Sequence, residues 1–145
     1  MRDPNKIFRD AVMQALNGNL TYDGSDVKVF NEQAEPGNNN TYVIVSSQSS
    51  AQEPNFSGFG HQGMLLMDII TKQAHLVTKD IVDNVSEQIT TILFPSVQAN
   101  GLAPQSGFQI NCLAVESMNY MPMRISNTKT IIKKLIRLTA KISQS

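Results

Sequence analysis

The sequence is poor in the residues that crosslink small domains or carry redox chemistry. Its 145 residues include one cysteine and no tryptophan, so a disulfide framework within the chain is excluded. Phe108, Ile110, Cys112 and Ala114 occupy alternate positions, which indicates that Cys112 is a small buried residue of a strand. The alternative is a reactive thiol. A chain of this length can bury roughly 70% of its unfolded surface, so we expect one domain over residues 1–145.

Long apolar runs are also absent. No stretch approaches the roughly 20 apolar residues of a membrane span, and the first residues do not combine a basic region with an apolar segment. We therefore expect a soluble chain without an export signal and without a membrane partner.

Motifs of known catalytic and cofactor sites are missing too. The sequence has no G-x-S-x-G, no Walker loop and no paired metal-ligand spacing. The segment Gly58–Gly63 matches G-x-G-x-x-G, but it precedes a predicted strand, whereas a dinucleotide site follows a strand and opens a helix. We predict no catalytic residue, cofactor, metal or small-molecule substrate, and hence no enzyme.

Asp68 is the one residue in an unusual setting, because it interrupts an apolar run. A carboxylate there is costly unless it is paired. We predict a structural ion pair, for instance with a basic residue of the final strand. The alternative is a small hydrolase that uses Asp68.

Acidic residues are absent from the last fifth of the chain. All twelve lie at or before Glu116, whereas six of the twelve basic residues follow it. This asymmetry favours a phosphate-facing surface or electrostatic complementarity between copies of the chain. A solvated strand face is the third interpretation.

The clearest pattern in the chain runs from Gly63 to Phe94. Nearly every position of Gly63–Thr71 is apolar, which predicts a strand covered on both faces. Apolar residues then recur at helical spacing from Thr78, which we predict as the N-cap, to the stop at Pro95.

The flanking segments supply further elements. Pro4 opens a helix that runs to about Leu16, with Asp3 as N-cap and Gly18 as its left-handed stop. Strands are predicted around residues 27–30, over Thr41–Ser47 and over Phe108–Ser117. In the last strand, Phe108, Ile110, Cys112 and Ala114 should share one face.

The last element, Thr128–Ser143, fits either a helix or a strand. Its isoleucines and threonines favour the strand, which places Lys133, Arg137 and Lys141 on the face opposite the apolar residues. The predicted class is α+β, a mostly antiparallel sheet of about five strands with two helices packed on it, in the order α-β-β-β-α-β-β.

Three polar loops are predicted, at residues 31–40, 49–60 and 96–107. The second carries Phe56 and Phe59, which are candidate partner contacts, with disorder as the alternative. A methionine-rich connection, Met118–Ser126, suits an adaptable contact surface or the filling of a core gap. Its candidate contact residues are Met118, Tyr120, Met121, Met123 and Arg124.

The order of elements resembles the tail terminator, or tail-completion, family of tailed bacteriophages. The resemblance is carried by the helix IFRDAVMQALNG, the strands VKVF, TYVIVSS and MLLMDIIT, the helix DIVDNVSEQITTIL and the closing strand IIKKLIRLTAKI. It spans almost the whole chain.

The resemblance implies a structural virion protein of the tail or neck, assembled in the host cytoplasm. Its copies would form a ring, usually a hexamer, that caps the tail tube and joins it to the head connector. The stripe Lys129, Lys133, Arg137 and Lys141 would contact a neighbouring subunit or line a lumen for passing DNA, without sequence specificity. The alternatives are another adaptor ring of the neck and a small cytoplasmic nucleic-acid-binding module that uses the basic final strand.

Overall fold

A computed structural model describes residues 4–22, 24–32, 41–53, 60–73, 79–95, 101–102, 108–124 and 130–144. Two helices and seven strands lie in these ranges. In chain order they are α1 (Pro4–Leu16), β1 (Thr21–Tyr22), β2 (Ser25–Asp26), β3 (Lys28–Asn31), β4 (Thr41–Glu53), β5 (Gly60–Gln73), α2 (Asp80–Leu93), β6 (Phe108–Arg124) and β7 (Thr130–Gln144).

Five of the strands form one sheet in the order β3-β4-β5-β7-β6. The β3–β4 pair is parallel and the other three pairs are antiparallel. The short strands β1 and β2 pair only with each other. The predicted α+β class, the five-stranded sheet and the order of its elements are confirmed.

Both helices pack on one face of this sheet, which we call the helix face. Alternate residues of the central strands point to it, as Leu65, Met67 and Ile69 of β5 and Ile136 and Leu138 of β7 do, and all five are fully buried. Apolar residues of the helices meet them there. The fully buried ones are Phe8, Val12, Leu16, Val82, Val85, Ile89 and Leu93.

Helix α1 has the predicted bounds. It begins at Pro4 and ends at Leu16, and Gly18 follows with a φ of +79°, a conformation that glycine adopts without steric cost. Gly63 of β5 lies against this helix, since a Cβ atom there would come within 2.9 Å of Phe8 Cδ2. The absent side chain lets α1 approach the sheet.

Helix α2 begins one residue later than an N-cap at Thr78 predicts. Lys79 occupies the N-cap position in a helical conformation and makes no side-chain capping bond, so the prediction of Thr78 as N-cap is wrong. The acids Asp80 and Asp83 lie in the first turn, where the helix dipole favours negative charge. The helix ends at Leu93 and Phe94 is its C-cap residue, so the helix stops before Pro95, as predicted.

Two strands are longer than the sequence pattern indicated. Strand β4 continues to Glu53 and β5 begins at Gly60, with Glu53 and Gly60 paired, so positions 49–53 and 60 of the predicted loop 49–60 belong to strands. The cause is that backbone pairing extends beyond the core, where polar residues give no apolar alternation. Phe56 and Phe59 lie outside the described residues, as do positions 33–40, 96–100 and 103–107 of the other two loops.

The predicted connection Met118–Ser126 is also wrong, because β6 continues to Arg124. Strand β6 lies at the edge of the sheet, which is where a strand tolerates a proline such as Pro122. The final element is the strand β7, so the choice of strand over helix is confirmed.

The alternation predicted for the start of β6 does not continue through it. A register shift between Asn111 and Ala114 places two residues of β6 opposite one of β7, which reverses the facing of the residues up to Val115. A second shift between Val115 and Ser117 restores the original facing. Leu113 and Val115 therefore pack against the core and Ala114 is exposed. The prediction that Ala114 shares a face with Phe108 is wrong.

Candidate assembly surface

The face of the sheet opposite the helices is not covered by any helix among the described residues. We call it the open face. It carries Lys28, Phe30, Tyr42, Ile44, Leu66, Asp68, Ile70, Lys72, Lys133, Leu135, Arg137 and Lys141. Coverage of β5 on this second face stays a prediction. Leu66 and Asp68 are only partly buried, although Ile70 is buried.

Basic side chains dominate the charge of the open face. Lys133, Arg137 and Lys141 recur at every fourth position on one side of β7, as the strand interpretation predicts. Lys72 of β5 lies on the same face, with its ammonium 6.0 Å from the centre of the Tyr42 ring. The predicted stripe is therefore a geometric feature of this face, except for Lys129, which lies outside the described residues.

Asp68 lies in the middle of the open face. Its neighbours across the sheet are Ile44 of β4 and Leu135 of β7. Burial raises the pKa of this carboxyl group, and the charge of Lys133 opposes the rise. One carboxyl oxygen, Oδ1, is buried without a hydrogen-bond partner. Within the described residues Asp68 has a nearby charge of the predicted kind but forms no ion pair.

A second feature is an exposed apolar segment of β6, Met118–Met121, which we call the edge segment. Its side chains Met118, Tyr120 and Met121 are 40%, 39% and 49% exposed, and they are the exposed large apolar side chains of the part of the chain that the structure describes. Met118 and Tyr120 pair with residues of the helix face, whereas Met121 pairs with Lys133 of the open face. The edge segment is thus apolar on both faces.

Tyr120 also contributes to a polar cluster between the sheet and α2. Its hydroxyl group donates a hydrogen bond to Asp83 Oδ1, and Lys134 Nζ donates another to the same oxygen at 3.0 Å. The Tyr120 hydrogen bond, followed by Lys134, holds the pKa of Asp83 below its ordinary value. The ammonium of Lys79 lies 4.2 Å from the centre of the Tyr120 ring, a cation–π distance.

The structure brings together only some of the candidate residues. Met118, Tyr120 and Met121 form one segment, and Met123 and Arg124 follow them in β6, opposite Ile131 and Thr130. The role of these residues in assembly stays a prediction, as does that of Phe56, Phe59 and the basic stripe.

Sequence reasoning missed Lys134 and its partner Asp83. Lys134 is only 8% exposed and lies on the helix face, unlike the stripe lysines. The signal was present, since Lys134 occupies the same alternation as Ile132, Ile136 and Leu138. A lysine at a core position predicts a carboxylate partner.

No group of three or more metal-ligating side chains occurs in the described ranges. No helix in them is long and apolar enough to cross a membrane.

Comparison with known proteins shows a similarity of fold but no match to a sequence family. No protein-family model matches the chain, and no curated protein matches it. Among solved structures, it is similar to a chain of a structure described as the virion of a native gene transfer agent particle. The similarity covers 92% of this chain and 93% of that one, with a TM-score of 0.61 and 16% sequence identity. At that identity the likeness establishes a shared fold over nearly the full length of both chains.

Proposed function

We propose that the chain is a structural protein of a phage-like virion, and that its copies form a ring at the junction of head and tail. In this proposal the ring, a hexamer, caps the tail tube and joins it to the head connector. The observation that carries the proposal is the fold similarity to a chain of a gene transfer agent virion, which extends over nearly all of both chains. The order of elements that resembles tail terminators supports the same location.

Two surface features support assembly. The open face combines apolar side chains around Asp68 with basic side chains, and the edge segment exposes Met118, Tyr120 and Met121 on one strand. Methionine and tyrosine are enriched at protein interfaces, and edge strands that stay unpaired usually carry charges that block association. The segment Met118–Met121 carries none.

The proposal is tested on the purified chain by light scattering over a wide concentration range and by electron microscopy. We expect a discrete oligomer with a central hole, and stabilisation of that oligomer by added tail tubes. A chain that stays monomeric at every concentration and with tail tubes present contradicts the proposal. Rings that bind isolated connectors but not tail tubes would instead identify an adaptor of the neck.

The second candidate function is sequence-independent binding of nucleic acid, and the basic open face favours it. Lys133, Arg137 and Lys141 lie on one side of β7, and Lys28 and Lys72 add to the same face. Such a surface predicts affinity for duplex DNA that falls steeply with salt. The double change Lys133→Glu with Arg137→Glu should abolish binding in a filter or anisotropy assay.

A matched control for that assay is Lys6→Glu with Lys79→Glu. It makes the same change of charge on the helical side of the molecule, where both lysines are exposed. Equal loss of binding in both double variants would show that net charge, and not the open face, governs the interaction.

A further inference from the structure

The open face of the sheet exposes apolar side chains around Asp68. Ile44, Leu66 and Leu135 lie there and are only partly buried, and a strand as continuously apolar as β5 is typical of a sheet that is covered on both faces. Both described helices lie on the helix face. Another molecule that covers the open face would therefore bury these three side chains.

The charge of the open face indicates which kind of molecule fits it. Five of the six charged residues named above for this face are basic, and the acid is Asp68. The bases are Lys28, Lys72, Lys133, Arg137 and Lys141. Lys133 and Lys141 form no ion pair within the described residues. A surface that combines acids with apolar side chains would complement this face.

The outer side of α2 is such a surface. Between Asp80 and Leu93 the helix carries three acids and no base. Lys134 pairs with Asp83, whereas Glu87 is exposed and forms no ion pair within the described residues. Two apolar side chains of the same helix are partly exposed, namely those of Ile81 and Ile92.

A groove of about 400 Å³ lies beside Glu87. It is lined by Asn19, Asn84, Glu87, Gln88, Thr91 and Ile92. Gln88 is held in place, because its Oε1 accepts a hydrogen bond from Thr21 N at 3.0 Å and its Nε2 donates to Thr21 O and to Asn84 Oδ1 at 2.6 Å each. A lysine or arginine suits this groove, since its stem can pack on Ile92 while its charged end reaches Glu87.

The spacing of the charges on the two surfaces is also similar. Residues four apart on a strand are separated by about 13 Å, which is the distance from Lys133 to Arg137 and from Arg137 to Lys141 along β7. Asp80 and Glu87 of α2 lie on one side of the helix, about 10.5 Å apart along its axis. The long side chains of lysine and arginine can span a difference of about 3 Å. A helix that lies along β7 can therefore bring both acids close to bases.

We infer that the outer side of α2 in one copy packs along the basic residues of β7 on the open face of the next copy, with one basic side chain seated in the groove beside Glu87. The inference rests on the proposed ring and names the surfaces that join its subunits. The two surfaces lie on opposite sides of the sheet, so the contact is head-to-tail. Repeated contacts of this kind close into a ring when the rotation permits.

Charge reversal tests the contact. Glu87→Lys should raise the concentration for half-assembly about tenfold, because it places a base against the basic residues of β7. When Glu87→Lys is combined in turn with Lys133→Glu, Arg137→Glu or Lys141→Glu, one of the three double variants should restore assembly. That variant identifies the residue seated beside position 87. If none of the three restores assembly, the inference is overturned. Sedimentation velocity measures the oligomer fraction.

The matched controls for charge reversal are Asp10→Lys and Lys6→Glu. They make the same changes of charge in an exposed ion pair of α1, whose loss costs little stability, and both should assemble like the wild type. If Asp10→Lys weakens assembly as much as Glu87→Lys does, the assignment of the contact to α2 is wrong. Circular dichroism of each variant verifies that loss of assembly is not loss of folding.

Crosslinking provides a readout that leaves every charge in place. In a Cys112→Ser background, Thr91→Cys is combined with either Leu135→Cys or Thr139→Cys, and at least one of the two pairs should give a ladder of oligomers with a short bismaleimide. Position 91 and the two positions of β7 lie on opposite sides of the sheet, so the reagent should not join them within one chain. A mixture of the single-cysteine chains should stop at dimers. Crosslinked dimers of Leu135→Cys alone would show that two open faces meet, which overturns the inference.

Duplex DNA at low salt tests the other occupant of the open face. In the inferred ring α2 covers the basic residues of β7, so DNA should bind monomers and shift the equilibrium away from rings. DNA that binds intact rings, with an affinity that is lost in the Lys133→Glu and Arg137→Glu double variant, would show that the open face is uncovered in the ring. That result would overturn the inference.

The outcomes separate the inference from the proposed function. Rings that persist in Glu87→Lys, with no ladder from either cysteine pair, overturn the contact between α2 and the open face and leave the proposed ring intact. A wild-type chain that never forms rings overturns both.

Discussion

Lys134 of β7 and Asp83 of α2 form an ion pair across the helix face, with Nζ 3.0 Å from Oδ1. The lysine is almost completely buried, whereas about half of the aspartate side chain is exposed. Tyr120 of β6 donates to the same oxygen. One carboxylate therefore joins α2 to two strands at the edge of the sheet.

Loss of the Asp83 charge should destabilise the fold. Asp83→Asn leaves the ammonium of Lys134 buried without an opposite charge, and we expect a loss of roughly 1–2 kcal/mol, less than for a fully buried pair. Urea unfolding at pH 7 measures it. Lys134→Met is the control, since it removes the charge but keeps an apolar stem of similar length, and it should cost less. A larger loss in Lys134→Met than in Asp83→Asn would contradict this explanation.

The same pair should make stability depend on pH in the acid range. The folded pKa of Asp83 lies below its ordinary value of 3.8, first because of the Tyr120 hydrogen bond. A depressed pKa stabilises the fold above the ordinary value, and that contribution is lost as the pH falls through the folded pKa. The difference in unfolding free energy between the wild type and Asp83→Asn should therefore shrink below pH 3.8. A difference that stays constant down to pH 2 would count against the ionised pair.

The contribution of Asp68 to stability should change with pH in the opposite direction. Burial raises its folded pKa above the ordinary value of 3.8, so its contribution to stability is present at low pH and is lost as the pH rises through the folded pKa. Asp68→Asn should stabilise the monomer by roughly 1 kcal/mol at pH 7, and by less at pH 3. Thermal unfolding at both pH values measures this. If Asp68→Asn also leaves every phenotype of the wild type intact, the chain is not a hydrolase that uses Asp68.

Gly63 should tolerate no side chain. A Cβ atom there would lie 2.7 Å from Ile142 Cδ1 and 2.9 Å from Phe8 Cδ2, so Gly63→Ala should cost roughly 1–3 kcal/mol through overpacking. Adding Ile142→Val removes the first clash. The double variant should then be more stable than the sum of the two single changes predicts. Simple additivity in urea unfolding would refute the role assigned to that contact.

The edge segment should matter for assembly but not for folding. Met118→Ser with Met121→Ser removes two exposed apolar side chains, so we expect weaker oligomerisation with an unfolding midpoint close to that of the wild type. Sedimentation velocity measures the oligomerisation, and urea unfolding measures the midpoint. Asn119→Ser on the same strand is the matched control. If the methionine variant assembles normally, the edge segment is not a subunit contact.

The elements that the sequence predicted well are those with strong local signals. Pro4 and Gly18 delimit α1 because each acts through its own backbone restriction. The final strand was favoured over a helix because isoleucine and threonine prefer strands. These signals do not require knowledge of the neighbouring strands.

Other features depend on pairing partners that are distant in the sequence. The extension of β4 to Glu53 and of β6 to Arg124 is specified by backbone bonds to β5 and β7, and not by side-chain pattern. The register shift after Asn111 likewise reverses a facing that simple alternation predicts. The basic charges of the candidate surface could be predicted from the sequence. The Asp83–Lys134 pair could not, because it joins residues 51 positions apart.

The position of β5 has a consequence for the order of folding. This strand pairs with β7 along its whole length, from Gly60 opposite Ser143 to Gln73 opposite Thr130, and α2 and β6 lie between the two in the sequence. The central ladder therefore closes only after β7 has been synthesised, and contacts of such long range slow folding. Until then the apolar side of β5 is exposed on a nascent chain, which makes recruitment of a chaperone during translation advantageous.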